Sequence, residues 1–145
     1  MCRTVCLLAV ALLALPSPGS DSPKGYDGAA EADDIQGTWE LIAIECNLET
    51  ISHRECVATY RGGTHTVSYG HRDAIIWSYR LDTTHKPAHL DWVMPTGEFA
   101  GWTTECIYQI DGDMLRIAFN NGDDGKRPRG FDEAELFVTI YKRVK

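Results

Sequence analysis

From residue 38 onward the chain alternates. Short runs in which every second side chain is apolar are cut by turn residues about every 8 to 15 positions. A side-chain period of two belongs to extended strands that bury one face. Eight such runs follow one another: Thr38 to Cys46, Cys56 to Arg61, Thr64 to Tyr69, Ala74 to Leu81, Ala88 to Met94, Trp102 to Ile110, Asp113 to Phe119 and Glu135 to Arg143. The clearest hairpin is the one at Asp111-Gly112, which predicts the positive φ angles of a type I′ turn. Nothing carries a core-helix stripe; one helical turn is expected at Asp33-Asp34-Ile35-Gln36, capped by an Asp and ended by Gly37. The class is all-β and antiparallel. Eight strands close into a barrel or divide into a sandwich, and periodicity alone leaves both open.

With 145 residues, 43% of them hydrophobic, the chain has the size and apolar content of one domain with a real core. Its formal charge of −7 argues against nucleic acid or an anionic membrane as partner, because either would require a basic stripe. The densest basic run, Lys126-Arg127-Pro128-Arg129, is flanked by Asp123, Asp124, Asp132 and Glu133 and reads as a solvated, charge-balanced loop.

The N-terminus reads as a secretory signal. Arg3 precedes the apolar run Leu7 to Leu15, and Pro16 to Ser20 supplies small residues for cleavage after Gly19. The apolar run is too short for a membrane span, so no membrane insertion is expected. The organisation predicted is a signal peptide over 1–19, a Gly/Pro/Ser/acid-rich flexible leader over 20–32, and one domain over 33–145, secreted or periplasmic and monomeric. Cys46, Cys56 and Cys106 remain after cleavage. In an oxidising compartment Cys46 and Cys56, which flank a hairpin connection, are the preferred disulfide, against three free thiols; Cys106 is the odd one, a small buried hydrophobe.

Catalytic motifs are missing from the sequence: it holds no nucleophile elbow, phosphate loop, dinucleotide fingerprint or His-Glu-x-x-His. No catalytic residue, cofactor or metal site is therefore assigned. His85 and His89 are four apart, but Pro87 lies between them. In extended chain they would stand about 13 Å apart at roughly 3.3 Å per residue, too far to share a metal without a bend at Pro87. Asn120 to Gly125 offers oxygen ligands without the order of an EF-hand. Cys106 sits beside Glu105, and a neighbouring acid makes a thiol less reactive.

Gly37-Thr38-Trp39 resembles the Gly-x-Trp start of lipocalins, and Arg143 stands where lipocalins place an arginine over that tryptophan. More widely, Asp34 to Trp39, Leu81 to Pro87, Ile107 to Ile117, Arg127-Pro128 and Tyr141 to Lys145 are similar to an uncharacterised family of exported lipocalin-like domains abundant in planctomycete bacteria. The resemblance covers residues 33 to 145. It implies an eight-stranded up-and-down barrel closed by first-to-last strand pairing, with a cation–π contact between Arg143 and Trp39 sealing the bottom. By the same analogy Trp39, Leu41 and Ala43 face inward, and alternation adds Ile75, Trp77, Tyr79, Leu90, Trp92, Tyr108, Leu115 and Ile117. Trp39, Leu41, Trp77, Tyr79, Trp92 and Tyr108 are the candidate lining for a small, partly apolar ligand; His65, which alternation sets on one face with Val67 and Tyr69, joins Tyr69, Arg80 and Arg116 as a candidate polar handle. The alternative is a filled barrel acting as a structural or protein-interaction domain of the cell envelope.

Overall fold

In the computed structural model, residues 32–46, 49–51, 55–70, 74–120 and 125–145 are described; the signal expectation and the leader expectation up to residue 31 lie outside them. A 3-10 turn, Ala32–Ile35, leads into nine strands: β1 Gly37–Cys46, β2 Glu49–Ile51, β3 Cys56–Arg61, β4 Thr64–Tyr69, β5 Ile75–Asp82, β6 Ala88–Val93, β7 Thr103–Asp111, β8 Met114–Asn120 and β9 Leu136–Arg143. From β3 to β9 each strand pairs antiparallel with the next, and β1 pairs with both β3 and β9. The β1–β9 ladder runs from Trp39↔Arg143 to Cys46↔Phe137. That ladder closes an eight-stranded antiparallel barrel, as in lipocalins, and leaves no sandwich.

The eight alternating runs correspond to β1 and β3–β9, and β2 lies in what reads as a loop. It adds a short flap that pairs only with Ile44, Glu45 and Cys46 of β1. Gly62 and Gly63 both have positive φ, as a two-residue type I′ hairpin between Arg61 and Thr64 requires. The β7–β8 hairpin is shifted by one residue from expectation. Asp111 pairs with Met114, so Gly112 is the first central residue and alone takes positive φ, the type II′ pattern.

Side chains on the inner face form one cluster that includes Trp39, Leu41, Tyr60, Leu90, Tyr108, Leu115, Ile117 and Tyr141. Ala43 is not among them. A register shift between Leu41 and Ala43 adds one residue to β1 and moves Ile44, instead of Ala43, onto the face shared with Thr139. A second cluster lies on the outer wall, where Ile107, Ala118, Leu136 and Val138 are covered by Phe131.

Arg127 tethers the segment that carries Phe131. Rather than lying in a solvated loop, its guanidinium donates to the backbone carbonyl of Cys106 at 2.5 Å and to the Asp91 carboxylate at 2.5 Å. Glu105 is a further partner at 3.6 Å. Pro128 beside it is buried.

Cys46 and Cys56 are not joined; all three cysteines in the described residues are free thiols. The register explains it. Glu40 pairs with Val57, so Cys56 lies level with Leu41, and Cys46 is five residues further along β1. At about 3.3 Å per residue that is roughly 16 Å, far beyond the roughly 4.4–6.8 Å between Cα atoms that a disulfide spans. Cys106 is fully buried, as expected. Burial pushes its thiol well above the ordinary range, with Arg127 opposing and Asp91 and Glu105 adding, which leaves it unreactive.

Candidate functional site

The barrel has two unlike ends. At the first, Gly37 holds φ +124°, and a Cβ there would meet Nη1 of Arg143 at 3.2 Å. The glycine lets the arginine lie close over the strand start. The Arg143 guanidinium sits 4.0 Å from the centre of the Trp39 ring and donates to the carbonyls of Gln36 at 2.8 Å and Asp34 at 2.5 Å. Trp39 donates from Nε1 to the carbonyl of Ile35 at 2.8 Å. Gln36 bridges the interior and the β3–β4 turn: its Nε2 donates to the Tyr79 hydroxyl, and its Oε1 accepts from Gly62. Gly37, Trp39 and Arg143 thus meet as the lipocalin resemblance implies, and Trp39 is completely buried.

Toward the second end the inner face stays aromatic but becomes partly exposed. Trp77, Trp92, Phe119 and Phe137 are half-buried, and Tyr69 and Ile75, inward by register, are exposed at the rim. Trp92 packs edge-on to Phe119, which stacks on Phe137. Together these side chains form an aromatic cup at the barrel mouth.

A continuous stack leads from the cup into the core. The His65 ring lies between Tyr60, at 4.3 Å, and Trp92, at 5.2 Å, nearly parallel to both. Trp92 donates from Nε1 to the Tyr60 hydroxyl at 3.3 Å. His65 is 3% exposed, and neither ring nitrogen has a hydrogen-bond partner. They are the only buried side-chain polar atoms so placed among the described residues. Leaving such groups unpaired is costly, of order 1–3 kcal/mol each. Burial holds the imidazole neutral, lowering its pKa to about 3. A neutral ring offers one donor and one acceptor.

Of the six expected lining residues, Trp77 and Trp92 belong to the cup. Leu41, Tyr79 and Tyr108 are buried in the core beneath it, and Trp39 lies at the sealed end. Phe119 and Phe137 are missing from the expected lining; of the four candidate polar handles, His65 and Tyr69 face inward, whereas Arg80 and Arg116 lie on the outer wall. Alternation puts His65 on one face with Val67 and Tyr69 but does not say that this face is the inner one.

Two further clefts lie on the outer wall. One of about 670 Å³ is bordered by Glu45, Thr50, Phe131 and the 132–136 segment, and its acids Asp132, Glu133 and Glu135 are exposed. The other, about 150 Å³, lies among Arg80, Asp82, His89, Asp91 and Arg127. Beside it the 83–87 loop, with a cis Lys86–Pro87 peptide, folds back so that the rings of His85 and His89 stack at 3.9 Å. The extended-chain separation expected for this pair therefore does not hold. No helix among the described residues is long and apolar enough to cross a membrane.

Comparison with known proteins gives no match to a family model, a curated protein or a solved structure.

Proposed function

We propose that this chain is an exported carrier or sensor that takes a small, planar, partly apolar molecule into the aromatic cup. The observation that carries this reading is His65, a neutral imidazole with two nitrogens that lack hydrogen-bond partners, in the middle of a stack that begins on half-exposed Trp92 and ends on buried Tyr60. Aromatic faces supply stacking surface, and the imidazole edge selects a ligand carrying a hydrogen-bonding group. Trp77 is the cross-strand partner of His65 and Trp92 stacks on its ring, so these two side chains would have to move to admit the ligand. Export is supported by the apolar run and small-residue cleavage site before residue 20. The sequence resemblance to exported lipocalin-like domains, a family without an established activity, supports export and leaves the ligand open.

The test is a fluorescence titration with 1-aminoanthracene, a planar apolar amine, alongside native mass spectrometry of protein purified without refolding. The proposal expects saturable one-site enhancement, weakened roughly tenfold in W92A and H65L, a loss equal to about 1.4 kcal/mol. If enhancement is unsaturable, or the same in both variants as in the parent, the cup is not a binding site.

A second reading rests on the rim. Phe99 and Trp102 pack on each other at 5.4 Å yet are 54% and 66% exposed, on a loop fixed by backbone bonds between Met94 and residues 101 and 102. Ile75 and Ile76 are exposed as well. An ordered apolar rim of this kind suits a protein partner. Binding to a partner that persists in W92A and H65L but is lost in a Phe99→Ser/Trp102→Ser variant favours this reading.

A further inference from the structure

We propose that Asp82, His85 and His89 form a binding site for a divalent transition metal on the outer wall at the sealed end of the barrel. Asp82 and His89 are register partners across β5 and β6 and share the outward face. The loop between these strands carries His85 back over them. One ligand atom from each of the three residues lies within 4.8 Å of the other two.

The cluster is arranged to accept an ion. Oδ1 of Asp82 accepts two bonds, from the Thr84 amide at 3.0 Å and the Thr84 hydroxyl at 2.5 Å. Those bonds fix the carboxylate and leave Oδ2 facing Nδ1 of His85 at 3.2 Å. Two ligand bonds of about 2.0–2.1 Å meeting at a tetrahedral angle end roughly 3.3 Å apart, so this pair already has the spacing of two atoms on one zinc. His89, half-buried, would complete the set by a side-chain rotation out of its stack with His85. Arg80 and Arg127 lie in the adjoining cleft and would repel a cation, but both are paired with Asp91, at 3.7 and 2.5 Å.

Two imidazoles and one carboxylate suit zinc, nickel or copper and discriminate against magnesium and calcium, which take oxygen ligands. Three protein ligands leave a fourth tetrahedral position open to water or to a donor from another molecule. The bound ion would pin the β5–β6 hairpin. This site is separate from the aromatic cup, and neither proposal depends on the other.

The probe is zinc alone, titrated calorimetrically into the mature protein in a non-chelating buffer, with magnesium as comparison. One equivalent of zinc is expected to bind, and magnesium is not expected to compete. H85A and H89A should each weaken zinc binding roughly tenfold or more, and T84A by less. Cobalt gives a second readout: a tetrahedral visible spectrum without a thiolate charge-transfer band, unchanged in a Cys46→Ser/Cys56→Ser variant. Circular dichroism checks that the exposed His85 substitution leaves the barrel intact, and zinc should shift the ring signals of His85 and His89 in the parent protein by NMR. Zinc binding of unchanged affinity in an H85A/H89A double variant, a thiolate band with cobalt, or no response of those rings would overturn the assignment.

Discussion

The two ends of the barrel use the same residue types in opposite ways. At the sealed end an aromatic ring, an arginine and an amide side chain are locked together. Trp39 is buried under Arg143, and the Trp39 indole, the arginine and Gln36 all have hydrogen-bond partners. At the mouth, aromatic rings are half-exposed, and the polar side chain beneath them, His65, has no hydrogen-bond partner. The first arrangement gains stability from complete satisfaction. The second forgoes some, which is where binding sites are expected to depart from the rules of a packed core. Burial and hydrogen-bond satisfaction, and not composition, separate the two ends.

Substitutions should reveal this asymmetry. The largest effect is expected at the sealed end, where W39A should lower unfolding free energy by about 3–5 kcal/mol in urea titration. R143A comes next, at about 2–3 kcal/mol, because it removes charge-assisted bonds to two carbonyls as well as the ring contact. Parental stability in R143A would mean that the seal is decorative.

The third effect is one of pH. His65 stays neutral in the folded barrel down to about 3 but protonates near 6.5 when the chain unfolds. Between those values the unfolded state binds the extra proton, so stability falls as pH drops through the window; above 6.5 the group contributes no slope. H65L should remove this dependence, narrowing the loss by about 2 kcal/mol at pH 5, at roughly 1.4 kcal/mol per pH unit. Parallel stability profiles for parent and H65L would show that the imidazole is solvated. The smallest change is expected for W92A, about 1–2 kcal/mol, since its ring is already half in water. A cost equal to that of W39A would erase the distinction between the ends.

Much of this was legible in the residues. Alternation and turn residues located the strands, and the resemblance of Gly37-Thr38-Trp39 and Arg143 to the lipocalin pattern marked the seal. Other features left no such trace. The bulge after Leu41 exchanges Ala43 for Ile44 on the inner face without any change in composition. β2 is three residues long, too short to show a period. Asp111-Gly112-Asp113 offers two hairpin frames, and pairing chose the later one. His85 and His89 meet through a fold in the 83–87 loop, whereas spacing along an extended chain put them apart. Arg127 looked solvated because its partners, Asp91 and the Cys106 carbonyl, are distant in sequence.

The chain has four tryptophans, and they sample the two ends: Trp39 at the seal, Trp77 and Trp92 in the cup, Trp102 on the rim. Each contributes one indole N–H signal to a ¹H–¹⁵N spectrum. Titration with 1-aminoanthracene should shift the Trp77 and Trp92 signals with a common saturation point and leave Trp39 in place. No shift at Trp77 and Trp92, or a shift confined to Trp102, would contradict a binding cup and leave the rim as the working surface of the molecule.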